Sequence, residues 1–246
     1  MITGESIQQS CDLYFGRTED FHYNPLIRQD IEKHKSLDSW TEPLDNPKRL
    51  FCYTHRIHLF VEKIHLLQND FLLYTHNSDE NILDSPLTRK ILDHPKCIEW
   101  HSQNICFDHP KLKFLPIGIA NAQWKHGIQT FKKVTSIVKT KDIYFQFNMD
   151  TNREKRLKCY LNLRPHIEWL PTIDPYEHFM RLSQYKYCIC PEGNGVDTHR
   201  LWECLYLNVI PIVKESDFTS ILIKQNIPLI VVKEWDYGEL LNLYKT

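Results

Sequence analysis

The fold is decided by residues 187–213, YCICPEGNGVDTHRLWECLYLNVIPIV. The stretch opens with a short apolar run, 187–190, which is typical of a strand buried on both faces. A tight glycine loop follows, and Asp197 or Thr198 is a good N-cap for the helix after it. A second apolar run, 209–213, predicts the next strand. The order of strand, loop, helix and strand predicts a βαβ crossover in a parallel sheet.

The loop itself predicts a site for an anion. It consists of Glu192, Gly193, Asn194 and Gly195, and the whole chain has only seven glycines. Glycine reaches backbone angles that are closed to other residues and lets a ligand approach the main chain. Open α/β sheets bind ligands at the carboxyl ends of their strands, and a helix start there attracts phosphate.

Three side chains beside the loop extend this prediction from an anion to a nucleotide. His199 and Arg200 lie in the first turn of the helix and add hydrogen-bond donors. Glu203, one turn further on, can face the same way and accept hydrogen bonds from both hydroxyls of a ribose. The simpler alternative is an ordinary turn followed by an Arg200–Glu203 salt bridge, and the residue types leave both interpretations open.

Residues 190–213 resemble the signature of the exostosin-like glycosyltransferases. They are similar to the soluble members that large DNA viruses of algae and amoebae encode. The matching positions are Pro191, Glu192, Gly193, Asn194, Gly195, Asp197, His199, Arg200, Trp202, Glu203, Pro211 and Ile212. The family usually has glycine where this chain has Asn208, and asparagine also tolerates the left-handed turn needed there. A weaker likeness extends over residues 50–232.

The resemblance implies a compact GT-B architecture of two Rossmann-like domains. It also implies transfer of a sugar from a nucleotide sugar to a glycan acceptor, and contact of Glu192 with the donor. The alternative is that Glu192 is only a carboxylate in the turn and does not contact the donor. Inverting transfer is the expectation, and retention of configuration stays open.

Strands alternating with helices along the chain predict parallel sheets in an α/β fold. We expect residues 1–127 to form an N-terminal arm and an acceptor-side domain, and residues 128–246 to form the nucleotide-sugar-binding domain. The segment 1–47 is polar with scattered aromatics, which indicates an irregular arm packed on the first domain.

Four shorter elements complete the predicted topology. Residues 27–35 are a candidate helix within the arm. Residues 116–119 are predicted to close the first sheet, and residues 166–170 are predicted as a strand of the second. A terminal helix over 235–244 is expected to cross back onto the first domain, as it often does in GT-B folds.

Polar clusters follow two strands of the first domain, at 75–80 and 101–104. An inverting transferase needs a general base on the acceptor hydroxyl, and we expect Asp79 to supply it across a cleft from the donor. His76 is the substitute base. The alternatives are that Asp79 caps a helix beginning near Ile82 and that His76 is a hydrogen-bonded structural histidine.

The departing diphosphate needs a metal ion or arginines to stabilise its charge. No Asp-x-Asp pair follows a predicted strand, so we expect no metal and no cofactor beyond the donor. Arg153, Arg156 and Arg200 suit phosphate, and Asn152 lies at the same helix start as the first two. A solvated helix face is the alternative for Arg153 and Arg156.

Composition excludes several classes of protein. A net charge of −1 argues against a nucleic-acid partner. Of eight cysteines, no two have the spacing of a zinc or redox motif, and Cys188 and Cys190 are expected to be small apolar fillers. The sequence shows no apolar signal core and no run approaching the ~20 residues that cross a bilayer. We therefore expect no membrane anchor and a cytoplasmic location, in the host cytoplasm for a viral protein.

Two other functions fit parts of the sequence. One is a module of the same fold that binds a nucleotide or glycan without turnover, in which Asp79 is only a cap. The other is a metal-dependent hydrolase built on His55, His58, Asp108 and His109. Release of nucleotide from nucleotide sugars separates an enzyme from the binding module, and sensitivity to a chelator supports the hydrolase.

Overall fold

The computed structural model describes residues 1–44, 46–135 and 137–244, except the side chains of 243 and 244. Its contacts divide the chain into two compact units, Ile2–Ile117 and Gly118–Thr246. Each unit contains one parallel sheet with helices, which confirms the predicted α/β class. Residues 118–127 group with the second unit rather than the first, because Ala120 O accepts a hydrogen bond from Ile128 N and Gly118 O contacts His199.

The N-terminal unit is built on a six-stranded sheet in the order β2-β1-β3-β4-β5-β6, with every neighbouring pair parallel. Its strands are β1 (Leu13–Gly16), β2 (His34–Ser36), β3 (Arg49–Tyr53), β4 (Phe71–His76), β5 (Cys97–Ser102) and β6 (Leu112–Phe114). Its α-helices are α1 (Gly4–Gln9), α2 (Thr18–Tyr23), α3 (Ile57–Lys63) and α4 (Pro86–Leu92).

The prediction of an irregular arm over residues 1–47 is wrong. Strand β1 lies inside the sheet, where Tyr14 pairs with His34 of β2 and with Phe51 of β3. Tyr14 and Phe15 are completely buried. The helix predicted over 27–35 is replaced by two short 3₁₀ helices and β2, because the chain must become extended to join the sheet.

The strand order reverses once within this sheet. From β1 the chain passes to β2 on one side, and it then returns to β3 on the other side of β1. The connections that follow β1 and β3 therefore leave in opposite directions. The carboxyl ends of this pair of strands form the topological switch point of the N-terminal sheet.

The C-terminal unit has a four-stranded parallel sheet in the order β10-β9-β8-β7. Its strands are β7 (Lys141–Tyr144), β8 (Tyr185–Ile189), β9 (Ile210–Lys214) and β10 (Ile230–Val232). Its helices are α5 (Ile128–Phe131), α6 (Arg153–Leu163), α7 (Pro175–Leu182), α8 (His199–Tyr206), α9 (Asp217–Lys224) and α10 (Tyr237–Tyr244). The predicted unit of strand, glycine loop, helix and strand is confirmed as β8, loop, α8 and β9, because β8 and β9 pair in parallel.

Two strands predicted from short apolar runs are absent from the described residues. Residues 166–170 form a turn and an irregular segment, with Leu170 N donating to Phe145 O. Residues 116–119 are irregular as well, and Gly118 within them has a φ of 67° that an extended strand cannot accommodate. Both runs are too short for periodicity to separate a strand from a buried loop.

Asparagine occupies the left-handed backbone positions outside glycine in the described residues. These positions are Asn46, Asn77, Asn104, Asn152, Asn208 and Asn226, with φ between 52° and 59°. The left-handed turn predicted at Asn208, after helix α8, is therefore confirmed. None of the described helices combines the length and the apolar character needed to cross a bilayer.

The burial of β1 gives a direct test of the N-terminal topology. We expect Phe15→Ala to lower the free energy of unfolding by about 3–5 kcal/mol, because it removes a completely buried aromatic ring from the core. Urea denaturation measures this loss. Tyr23→Ala is the matched control, since Tyr23 is 65% exposed in the same segment. Equal stability of the two variants would mean that this segment is an arm after all.

Candidate functional site

The glycine loop lies between the carboxyl end of β8 and the start of α8, as predicted. The loop glycines do not use the left-handed angles that glycine can reach, because among the described glycines only Gly118 has a positive φ. A Cβ added at Gly193 would lie 3.4 Å from Arg156 Nη2 and 3.5 Å from the methyl groups of Thr151 and Thr198, which is ordinary packing distance. Neither a left-handed angle nor a close contact therefore requires glycine at position 193.

Two predicted site residues, Asn152 and Arg156, hold the loop by its backbone. Asn152 Nδ2 donates to Gly193 O at 2.7 Å. Arg156 is buried, and its Nε donates to Glu192 O at 2.9 Å while Nη1 donates to Asn148 O at 2.6 Å. Burial, with a contribution from the charge of Arg200, lowers the pKa of Arg156 to about 10. These side chains fix the position of the loop.

Arg153 and Lys155, two further charged residues of helix α6, are more exposed than Arg156. The side chain of Arg153 is 73% exposed and lies 3.7 Å from Asp150, so the alternative of a solvated helix face describes it. Lys155 Nζ forms an ion pair with Glu192. The resemblance implied donor contact for Glu192, and its carboxylate here has a lysine partner at the edge of the loop.

Arg200 and Glu203 form the ion pair that was the simpler sequence interpretation. Arg200 Nε donates to Glu203 Oε2 at 3.1 Å, and the side chains are 19% and 6% exposed. Arg200 Nη1 donates to Gln146 O at 2.6 Å, and the guanidinium lies 5.7 Å from the centre of the Tyr144 ring. Burial lowers the pKa of Arg200, whereas Cys188 and Glu203 raise it, and the net shift is upward. A permanent cation is thus held in place in the first turn of α8.

The other predicted residues around the start of α8 have structural partners. Asp197 Oδ1 accepts from the indole Nε1 of Trp202 at 2.7 Å. Thr198 is the N-cap by backbone angle, without a side-chain hydrogen bond to the helix. His199 Nδ1 lies 2.8 Å from Gly118 O, which can only accept, so Nδ1 carries the proton. Asn194 is exposed and Gly195 is buried.

A tyrosine and a histidine behind Arg200 were missed in the sequence. Tyr144 ends β7 and its hydroxyl lies 2.8 Å from His178 Nδ1. His178 Nε2 is buried and has no hydrogen-bond partner. Burial, and then the charges of Arg200 and Arg181, lower the pKa of His178 to about 2. The only signal available in the sequence was that Tyr144 lies within a predicted strand, residues 143–147.

Three thiols lie beneath the same loop. Among the described residues, Cys188, Cys190 and Cys204 form the group of side chains spaced closely enough to hold a metal ion, with sulfur atoms within 4.8 Å of one another. All three are buried, and Cys190 Sγ lies 3.8 Å from Cys204 Sγ. The histidines of the hydrolase interpretation are not in that group. The three cysteines lie in β8, directly after it and in α8, and the role of small apolar filler stays a prediction for Cys188 and Cys190.

In the N-terminal unit, the polar cluster after β5 is largely tied into the fold. Trp100 Nε1 donates to Thr75 Oγ1 at 2.8 Å, and Thr75 Oγ1 donates to Ser102 Oγ at 2.7 Å. Gln103 and Asn104 donate to Ser78 O. These residues hold the ends of β4 and β5 together.

The two predicted bases occupy different environments. His76 is buried, and its ring nitrogens lie 3.2 Å from Asn77 Oδ1 and 3.2 Å from Pro116 O, which describes a hydrogen-bonded structural histidine. Asp79 is exposed. It does not cap a helix at Ile82, because α4 begins at Pro86 and Ser85 caps it.

A carboxylate that sequence reasoning missed lies at the switch point of the N-terminal sheet. Asp20, in α2, is bonded to His55 Nε2 at 3.1 Å, to Arg56 Nε at 2.9 Å and to the backbone N of Arg17 at 2.8 Å. Burial raises the pKa of Asp20, but the hydrogen bonds from His55 and Arg56 lower it further, so it lies well below the ordinary value. The group is therefore a fixed carboxylate at neutral pH.

No protein-family model matches the chain, and no curated protein matches it with significance.

The buried histidine behind Arg200 predicts a specific pH dependence of stability. The unfolded chain binds a proton at His178 below its ordinary pKa of 6.5, whereas the folded protein resists it down to about 2. Stability is therefore lost as the pH falls below ~6.5, by up to ~1.4 kcal/mol per pH unit from this group.

His178→Asn keeps a polar atom near Nδ1 and does not titrate, so we expect the variant to lose less stability than the natural protein between pH 7 and pH 5. Urea denaturation at both pH values measures the difference. Parallel losses in the two proteins would show that His178 is not held neutral.

Proposed function

We propose that the protein is a glycosyltransferase that moves a sugar from a nucleotide sugar to a hydroxyl of a glycan acceptor. The observation that carries this proposal is the position of Arg200. It lies in the first turn of a helix, directly after a rigid loop at the carboxyl end of a parallel strand. That position suits a diphosphate, because helix N–H groups and a guanidinium both stabilise negative charge there.

The surrounding contacts support this proposal, because they hold the hydrogen-bond donors in place before a ligand binds. Asn152 and Arg156 fix the loop backbone, and Glu203 and Gln146 O fix the guanidinium of Arg200. Donors held before the ligand arrives lose little conformational entropy on binding. In this proposal the remaining N–H groups of Arg200 face the diphosphate, and Glu203 is the carboxylate nearest to the ribose.

The reaction requires stabilisation of the leaving diphosphate and a base for the acceptor. In the proposed GT-B architecture the C-terminal unit binds the donor and the N-terminal unit binds the acceptor. Arg200 and the start of α8 supply the positive charge, so the transfer is metal-independent. Inversion at the anomeric carbon follows from a single displacement by the acceptor hydroxyl.

Nucleotide binding tests the role of Arg200. Changing Arg200 alone would leave the buried Glu203 carboxylate unpaired, which would destabilise the fold. We therefore choose the double variant Arg200→Met/Glu203→Gln, which removes both charges. Its dissociation constant for uridine and guanosine diphosphates should rise by an amount equivalent to roughly 1.5–3 kcal/mol, the contribution of hydrogen bonds to a charged group.

Isothermal titration calorimetry gives the dissociation constants. Arg153→Ala is the matched control, because that arginine begins the neighbouring helix α6 but its side chain is 73% exposed, and the variant should bind as the natural protein does. A double variant with native affinity and a native melting temperature would remove Arg200 from the proposed site.

Metal independence is a separate expectation. Release of nucleoside diphosphate from nucleotide sugars should continue at an unchanged rate in excess EDTA, because the guanidinium and the helix start carry the charge that a cation would otherwise stabilise. Loss of activity that Mn²⁺ or Mg²⁺ restores would contradict this part of the proposal.

A further inference from the structure

The switch point of the N-terminal sheet carries a histidine and a carboxylate from two different connections. Helix α2 follows β1 and provides Asp20, and the turn Thr54–Arg56 follows β3 and provides His55. Open α/β sheets bind ligands in the crevice outside the carboxyl ends of such a strand pair. These side chains are therefore placed where a substrate of this unit would bind.

The contact between these two residues fixes the protonation of the imidazole. Asp20 Oδ1 lies 3.1 Å from His55 Nε2. An ionised carboxylate only accepts hydrogen bonds, so Nε2 carries the hydrogen and the lone pair of the neutral ring is on Nδ1. A histidine whose far nitrogen is held by a carboxylate is arranged to take a proton from a hydroxyl at its other nitrogen.

The exposure of His55 and the fixed position of Asp20 also favour a role of His55 as a proton acceptor. The side chain of His55 is 33% exposed, whereas that of Asp20 is 8% exposed. Asp20 cannot easily rotate, because Arg56 Nε at 2.9 Å and Arg17 N at 2.8 Å also bind its carboxylate. The histidine is thus accessible to a substrate while the residue that orients it is fixed inside the unit.

We infer that His55 is the general base of the proposed transfer, and that Asp20 is its positioning residue. This inference rests on the proposed function. The acceptor hydroxyl gives its proton to His55 Nδ1 while its oxygen forms the bond to the anomeric carbon. The bond from that carbon to the diphosphate breaks, its electron pair leaves with the nucleoside diphosphate, and the imidazolium then returns the proton to solvent.

His76 and Asp79, the two bases predicted from sequence, suit the role of general base less well than His55 does. His76 has both ring nitrogens against oxygen atoms of its own unit, which leaves neither for an acceptor hydroxyl. Asp79 is exposed, but an imidazole is a stronger base than a carboxylate at neutral pH. His55 combines access with an oriented lone pair.

His55→Gln tests this role with little structural change. The glutamine amide can donate to Asp20 from the position of Nε2 but cannot take a proton at neutral pH. His65→Gln is the matched control, because His65 is an exposed histidine of the same unit. Asp79→Asn tests the alternative general base in the same assay. The assay is release of nucleoside diphosphate from a panel of UDP- and GDP-linked sugars with water as the acceptor, together with the calorimetric dissociation constants for UDP and GDP.

We expect His55→Gln to lower the release rate by ~10²–10⁴-fold at unchanged affinity for the diphosphates, and His65→Gln to match the natural protein. His55→Ala should regain part of its rate when free imidazole is added, a result that a purely structural role does not produce. Native turnover by His55→Gln, or a comparable loss in Asp79→Asn alone, would overturn the inference while leaving the proposed function intact. If the unaltered protein neither binds the diphosphates nor releases them from any donor, the proposed function itself has failed, and the role of His55 with it.

Discussion

The candidate site of the C-terminal unit depends on a buried guanidinium that holds the glycine loop by a backbone carbonyl oxygen. Arg156 reaches from α6 to Glu192 O and Asn148 O, and Asn152 reaches from the same helix start to Gly193 O. A charged group with this little exposure is stable only when its N–H groups are bonded, so breaking these contacts would leave costly unpaired donors. The loop is consequently held at two successive carbonyl groups, those of Glu192 and Gly193.

This constraint explains why Arg200 can be placed accurately. The start of α8 follows the held loop, and the Arg200 side chain is then fixed by Glu203 and by Gln146 O. The salt bridge and the nucleotide role were competing interpretations in the sequence. The geometry makes them compatible, because an ion pair that uses Nε leaves other N–H groups of a guanidinium for a ligand.

The sequence predicted the C-terminal unit better than the N-terminal one, for a physical reason. The region of β8, α8 and β9 contains two apolar runs, a glycine loop between them and candidate N-cap residues, which together are a strong local signal. Strand β1 has four residues and β2 has three, and neither shows a periodicity that distinguishes a strand from a loop. Their position in the sheet comes from tertiary pairing that no local pattern reveals.

The same distinction applies to the candidate functional residues. Glu192 to Glu203 could be predicted as one constellation because the chain presents them within a single loop and helix. His55 and Asp20 are 35 positions apart, and only the parallel pairing of β1 and β3 brings their connections together. Arg156 was predicted from its residue type to bind phosphate, whereas its hydrogen bond to Glu192 O depends on a loop far along the chain.

The asparagines at left-handed positions have a consequence for the unfolded chain. Glycine would adopt these angles with less strain, but it would also give the denatured ensemble more conformations to lose on folding. Asparagine tolerates the angle through its short polar side chain and restricts the disordered state more than glycine does. With seven glycines in its sequence and six left-handed asparagines among its described residues, the chain therefore offsets some local backbone strain by folding from a denatured state of lower entropy.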